Sequence, residues 1–256
     1  MSDTALQTAF VTGASSGIGA ATARALGACG FAVGLGARRT ERLEEVVKDV
    51  ERAGGRAFCA VLDVRDAGSV DAFFDAAEAA LGPANVVVSN AGIGFARLLG
   101  EYTQAELRTE LDTNLLGPML VARRAAPGMV ERGAGDLIFV SSLNAVAPRT
   151  FQACYSATKA GLETFVRVLQ MEMEGSGVRA SVVRPGPTGS EFGADYGAER
   201  TRRVLESWRY WGGMRELRWM EAERVADAIV TVAMTPPGTH LDVVQVVPVG
   251  TRKGPL

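Results

Sequence analysis

Short apolar runs alternate with amphipathic stretches along this chain, and no other feature limits its fold so sharply. The apolar runs are residues 6–13, Phe31–Gly36, Ala57–Leu62, Asn85–Ser89, Leu137–Val140 and Val178–Val183. Each is short, almost continuously apolar and bounded by Gly, Asn, Asp or Pro, as expected for a buried strand. Helical patterns fill the gaps: to about Cys29, Thr40–Ala53, 67–81, Thr103 to about Arg132, and from about Ala153 to Glu174. The long one is interrupted near Gly117-Pro118 and Pro127. A further helix, Ala222–Met234, and a seventh strand, Leu241–Val247, close the pattern. Strands that are apolar on both faces and separated by helices imply a parallel sheet covered on both sides. No repeat or linker divides residues 1–256, so a single domain is expected.

In such a sheet, ligands bind beyond the carboxyl ends of the strands, so the residues at those ends carry the functional reading. The first strand runs into Ala14-Ser15-Ser16-Gly17-Ile18-Gly19 and then an Ala-rich helix. Strand, glycine turn and helix together suit a phosphate, because glycines admit close backbone approach and the helix amino end favours an anion. This makes the expected fold class an α/β, Rossmann-type, doubly wound parallel seven-stranded sheet with helices on both faces. The second strand ends in Ala37-Arg38-Arg39. An acid there would accept from a free ribose 2′-hydroxyl, whereas arginine suits a 2′-phosphate, so NADP(H) is favoured over NAD(H). The alternative is that one of the two arginines is a solvated helix-start residue. Asp63 and Val64 follow the third strand, where the acid could read an adenine amino group. Asn90-Ala91-Gly92 follow the fourth, where small residues let a cofactor pass close.

The fifth strand ends in Ser141 and Ser142, and the next helix carries Tyr155 and Lys159 four residues apart, on one face. A free phenol has a pKa of about 10. A neighbouring ammonium favours the phenolate, and a serine hydroxyl could bond the same substrate oxygen. Asn114, in an otherwise apolar helix, is a polar group that must find buried partners.

Composition removes several function classes. Charges of both signs are interspersed, with net charge −2, which gives no electrostatic reason to expect nucleic acid or an anionic membrane. No apolar run reaches the ~18 residues of a membrane span. The first residues lack a secretory pattern, and the three cysteines suit reduced thiols, so a cytoplasmic protein is expected. The one histidine, His240, beside a Pro-Pro-Gly turn, leaves no basis for a zinc site or a His triad, and no metal is expected.

Taken together, Thr12-Gly13-x3-Gly17-x-Gly19, Asn90-Ala91-Gly92, Asn114, Ser142, Tyr155-x3-Lys159 and Pro185-Gly186 resemble the short-chain dehydrogenase/reductase family, single-domain branch, over essentially the whole chain. The resemblance implies that Tyr155 is the catalytic acid/base and that Lys159 lowers its pKa and binds the nicotinamide ribose. It implies that Ser142, thirteen residues before Tyr155, holds the substrate oxygen, with Ser141 as structural neighbour. It makes Asn114 the holder of a water that links the lysine to solvent. Gly13, Ser15, Ser16, Gly17, Ile18 and Gly19 match the diphosphate turn, Asp63 and Val64 the adenine contact, and Asn90, Ala91 and Gly92 the segment beside the ribose. Pro185, Gly186 and Thr188 match the carboxamide contact. There are two departures from the family pattern: Ser89 replaces a first Asn, and Thr188 with Ser190 replaces an aliphatic with Thr.

The implied reaction is interconversion of a carbonyl and a secondary alcohol. The alternative is a non-catalytic NADP(H)-binding regulatory protein, which usually lacks the Tyr or the Lys kept here. An insertion at about 190–221 holds all three tryptophans, 208, 211 and 219, together with Tyr196 and Tyr210. It reads either as a lid over a bulky apolar ketone or alcohol, hinged at Gly212-Gly213, or as aromatics packed on the domain or a neighbouring subunit. The family resemblance also implies self-association, as a homotetramer or homodimer, through the helices from 103 and 153 and through the seventh strand.

Overall fold

The computed structural model describes residues 7–189, 191, 196–211 and 219–249. Seven strands form one parallel sheet: β1 (Thr8–Thr12), β2 (Ala32–Ala37), β3 (Arg56–Val61), β4 (Val86–Ser89), β5 (Gly135–Val140), β6 (Val178–Pro185) and β7 (Val243–Val246). Their spatial order is β3-β2-β1-β4-β5-β6-β7. The winding therefore reverses between β1 and β4, and a crevice opens there at the carboxyl ends.

Side chains alternate across the strands and divide the core in two. Ala9, Val11, Val33, Leu35, Ile138 and Val140 face one side. There they meet α1 (Gly17–Ala28), α2 (Thr40–Arg52) and α8 (Ala222–Ala233). Phe10, Val87, Leu137, Phe139 and Val182 face the other. They are covered by α3 (Ala67–Leu81), α5 (Gly117–Arg132) and α6 (Ala153–Glu172). Phe10, Phe73 and Phe74 pack edge to face with centroids 5.5–6.0 Å apart, a favourable arrangement of ring quadrupoles. The central strands β1, β2 and β4 are wholly buried, which is why their sequences do not alternate in polarity.

The helix expected from Thr103 to about Arg132 is divided. It runs as α4 (Gln104–Leu111), opens into a single π-type turn over Asp112–Leu116, and resumes as α5. Pro118, which lacks a donor N–H, falls in the first turn of α5, where none is needed. A further helix, α7 (Ala198–Tyr210), lies in the 190–221 segment and builds a small satellite core from Ala96, Phe151, Val204 and Trp208. The supposed hinge Gly212-Gly213, and Ser190, lie outside the described residues. No described helix is long and apolar enough to cross a membrane.

Candidate active site

A cleft of about 720 Å³ lies over the carboxyl ends of the strands. At one end is the turn after β1. Gly13 and Gly17 have φ of 66° and 52°, a left-handed backbone that glycine adopts without cost. A Cβ on Gly13 would stand 2.8 Å from the Cα of Ala91, so the two loops meet backbone to backbone. Asn90 locks them together: its Nδ2 donates to the Thr12 carbonyl at 3.0 Å, and the Thr12 hydroxyl accepts from the amides of Asn90 and Ala91.

Ser15, Ser16, Ile18, Arg38, Asp63, Val64, Ala91 and Gly92 line this end of the cleft as expected. Arg39 reaches over the turn, its Nη2 donating to Ser15 Oγ at 3.1 Å and to Ser16 Oγ at 2.8 Å. Its Nη1 pairs with Glu191 at 2.8 Å, and Arg42 holds the same carboxylate. These guanidinium groups hold the Glu191 carboxyl down to about 2. Asp63 is engaged by Arg65 through both oxygens, at 2.9 Å from Nε and 2.6 Å from Nη2, so an adenine amino group would have to share that carboxylate. Gly19 is not on the cleft wall. Its place is one of packing, since a Cβ there would meet the Gly13 carbonyl oxygen at 2.3 Å.

The other end is made from β5, the loop after it and α6. Ser142 and Tyr155 sit together on the wall, and a hydrogen bond from Ser142 favours the phenolate. Ser141 points elsewhere, donating to Glu163 Oε1 at 2.7 Å. Glu163 also takes both arms of Arg184, at 2.9 and 2.6 Å, a bidentate pair behind the site. Lys159 is buried. Its Nζ donates to the Val140 carbonyl at 2.9 Å and stands 5.8 Å from the centre of the Tyr155 ring. Burial pulls Lys159 down to about 8, against Glu163, which raises it.

The Tyr155 phenol is held above its ordinary value rather than below it. Burial dominates and pushes Tyr155 up to about 12; Ser142 and Arg149 act in the opposite direction. Asn114 is fully buried behind the wall and finds the partners that a polar group in an apolar helix needs. In the π-type turn, its Oδ1 accepts from Ile93 N at 2.9 Å and its Nδ2 donates to Ile93 O at 2.7 Å. It thereby clamps the 90–95 loop. The spot a Gly92 Cβ would occupy is 3.3 Å from Asn114 Oδ1 and 3.7 Å from Lys159 Nζ, so the two side chains flank the same backbone.

Pro185, Gly186 and Thr188 close the cleft floor, with Thr188 Oγ1 donating to the Gly186 carbonyl at 3.0 Å. Above them, Phe95, Tyr196, Trp208 and Trp219 give the wall aromatic surface. Trp208 is buried and packs on its own domain, whereas Tyr210 and Trp211 are exposed. Tyr196 ties its segment down by donating to the Gly94 carbonyl at 2.7 Å.

Sequence reading missed Arg42, Arg149, Gln152, Glu163, Arg184 and Glu191. Glu163 carried a signal, since it lies four residues after Lys159 on the same helix face. Arg149 and Glu191 carried none, because the loops that aim them have no period. Among the described residues, no group of three His, Cys, Asp or Glu side chains could hold a metal ion.

A sequence profile described as short chain dehydrogenase matches residues 7–201. A short chain dehydrogenase of Pseudocercospora fijiensis is 34% identical over 213 residues, covering 78% of this chain and 69% of that protein. A ketoacyl reductase of a Nostoc species is 36% identical over 180 residues, covering 70% of this chain and 63% of the relative, so this chain spans less than two thirds of that relative's length. Among solved structures, actinorhodin polyketide ketoreductase with NADPH superposes with a TM-score of 0.85 at 28% identity, over 96% of this chain and 98% of that one.

Proposed function

The chain belongs to the short chain dehydrogenase family, and from that premise we propose that it is an NADP(H)-dependent oxidoreductase interconverting a carbonyl and a secondary alcohol. The observation that carries this is the meeting of Ser142, Tyr155 and Lys159 at one end of a cleft whose other end is a glycine turn. The residues fit a dinucleotide. The Gly13–Ala91 approach leaves no room for a Cβ where a diphosphate would lie, and Arg39 with Ser15 and Ser16 presents donors for a 2′-phosphate. When bound, the nicotinamide supplies or accepts the hydride.

The protein's own part is positioning and proton transfer. A phenol held up to about 12 is protonated at neutral pH and is therefore an acid poised for the reducing direction. Tyr155 gives its proton to the carbonyl oxygen as negative charge develops there, while the Ser142 hydroxyl donates to the same atom. Lys159, held down to about 8, sits behind the ring as a group able to exchange protons near neutrality and to bond ribose hydroxyls. Asn114 keeps the 90–95 loop in place beside it, and a water held between them would complete a path to solvent.

The preference for NADP(H) is supported by Ala37 in place of an acid, by Arg39, and by the NADPH carried by the ketoreductase that superposes on this chain. The aromatic wall of Phe95, Tyr196, Trp208 and Trp219 supports a bulky, largely apolar substrate body. Self-association is supported by apolar residues left in solvent on the helices that would pair. Leu111 and Leu116 are exposed beside α4 and α5, as are Val168 and Met171 on α6. A screen of ketones and secondary alcohols, read at the nicotinamide absorbance with NADP(H) and NAD(H) side by side, tests the reading. Turnover with a bulky ketone and NADPH is expected; no turnover with any carbonyl would leave only a cofactor-binding protein.

A further inference from the structure

Five described arginines are only partly exposed: 97, 124, 149, 179 and 184. Four of them face carboxylates, in the pairs Arg97–Glu106, Arg124–Asp75, Arg179–Asp136 and Arg184–Glu163. Arg149 does not. Its Nε is buried without any hydrogen-bond partner, and no described carboxylate lies within ion-pair distance. Burial accordingly pulls its pKa down. A guanidinium nitrogen withdrawn from water without a partner is costly, and proteins otherwise pair such groups.

The position is built, not accidental. The guanidinium lies over the Trp208 ring at 4.8 Å from its centroid, which offsets part of that cost. Trp208 is itself fixed, with Nε1 donating to the Thr150 carbonyl at 2.8 Å, and the Thr150 and Ser207 hydroxyls are 2.7 Å apart. The backbone turns sharply at Phe151, the one described non-glycine residue with positive φ, at 65°. A bulky residue is strained in that conformation, and such strain is kept where the surroundings dictate it. The turn directs Arg149 and Gln152 to the same cleft wall as Tyr155, and the Arg149 charge is felt at the phenol. The glycine turn and Arg39, which suit the cofactor's phosphates, are at the opposite end.

We propose that Arg149 binds an oxyanion carried by the substrate, so that the substrate is an amphiphilic ketone or alcohol with an acidic group, of the carboxylate class, beyond its apolar body. The inference rests on the cleft being a substrate site, as proposed above, and adds the charge of what enters it.

The test uses matched pairs: 4-acetylbenzoate with its methyl ester, and 5-oxohexanoate with its amide. Binding is followed by calorimetry and by tryptophan fluorescence, and turnover by NADPH consumption. The wild-type protein is expected to bind at least one acid about 10-fold to 100-fold more tightly than its neutral partner, the range for a hydrogen bond to a charged group. Arg149→Met should abolish that preference by weakening the acid far more than its neutral partner, and Arg149→Lys should restore part of it. Matching thermal melts of the three proteins would establish that the variants fold. No preference for the acids in the wild type, or an equal loss for acid and neutral partner in Arg149→Met, overturns the inference and leaves Arg149 as support for Trp208. An acid preference without turnover of any ketone would keep the anion site and overturn the proposed reaction instead.

Discussion

The two ends of the cleft are made by opposite means. The nucleotide end is made by removing side chains: Gly13, Gly19, Ala91 and Gly92 let backbone approach backbone, with two serines and an arginine added at the rim. The substrate end is made by bringing large side chains from separate segments to one wall, Ser142 and Arg149 from one loop, Tyr155 and Lys159 from α6, and Trp208 from α7. The first kind of site tolerates no addition, and the second no subtraction. One end can therefore be damaged by a methyl group, the other by losing a single oxygen.

The largest expected effect follows from the second rule. Tyr155→Phe removes one oxygen and with it the proton donor, and should lower kcat by about 10²- to 10⁴-fold. The dissociation constant for NADPH, read by fluorescence, should stay within about twofold, because the glycine turn is untouched. Near-wild-type turnover in the variant would remove Tyr155 from the chemistry; a large loss of NADPH affinity would mean the two ends are not separable.

The next prediction concerns Lys159, the charge buried at the substrate end. Burial lowers its pKa from the ordinary 10.5 to about 8 in the folded protein. Between those values the unfolded chain binds more protons than the folded one, so this group's penalty on stability is greatest below pH 8 and fades as pH rises. Lys159→Met has no such penalty. The stability of the wild type relative to the variant should therefore rise by about 2 kcal/mol from pH 8 to pH 10. Denaturant midpoints at the two pH values would measure it, and other titrating groups cancel in the difference. A difference independent of pH would show that the ammonium is not held in the low-dielectric setting described.

Gly19→Ala tests the first rule with one methyl. Alanine favours a helix interior by about 1 kcal/mol over glycine. Against that, the new Cβ would lie 2.3 Å from the Gly13 carbonyl oxygen and 2.5 Å from Asn90 Nδ2, and overpacking costs typically about 1–3 kcal/mol. The clash should win, by about 1 kcal/mol on thermal unfolding, and NADPH binding should weaken with it. An increase in melting temperature would mean that α1 has room to move and that the turn is looser than its contacts imply.

The same contrast explains what could be read from the sequence. The sheet was legible because each strand is an uninterrupted apolar run, and its two faces, Phe10 against Ala9 and Val11, follow from alternation alone. The nucleotide end was legible because closeness demands glycine, and the demand is written at fixed offsets after β1. At the substrate end only Tyr155 and Lys159 were legible, since one turn of helix joins them; the choice of Ser142 over Ser141 came from the family interval. Arg149 was not, because its direction is set by a left-handed Phe151 and by a tryptophan 59 positions away, neither of which leaves a local pattern. The break at Asp112–Leu116 was hidden as well. Nothing in that stretch disfavours an ordinary helix, and the wider turn coincides with Asn114 bonding to Ile93, a partner distant in sequence.

The smallest expected effect belongs to the rim of the nucleotide end, where a charged side chain has been added to a site otherwise made by deletion. Arg39 is largely exposed, and exposed ion pairs contribute little because solvent and salt screen them. Part of its charge is already met by Glu191, which a 2′-phosphate would have to displace or share. Arg39→Gln should therefore weaken NADPH only about threefold to tenfold, in the range of one modest charge-assisted contact. The affinity for NADH, which lacks that phosphate, should not change. The effect should also shrink as salt is added, since the Debye length falls to about 3 Å at 1 M. Measured dissociation constants for both cofactors at low and high salt decide the matter. Equal weakening of NADPH and NADH would mean that Arg39 supports the Ser15-Ser16 turn itself, making it part of the packed frame rather than a reader of the phosphate.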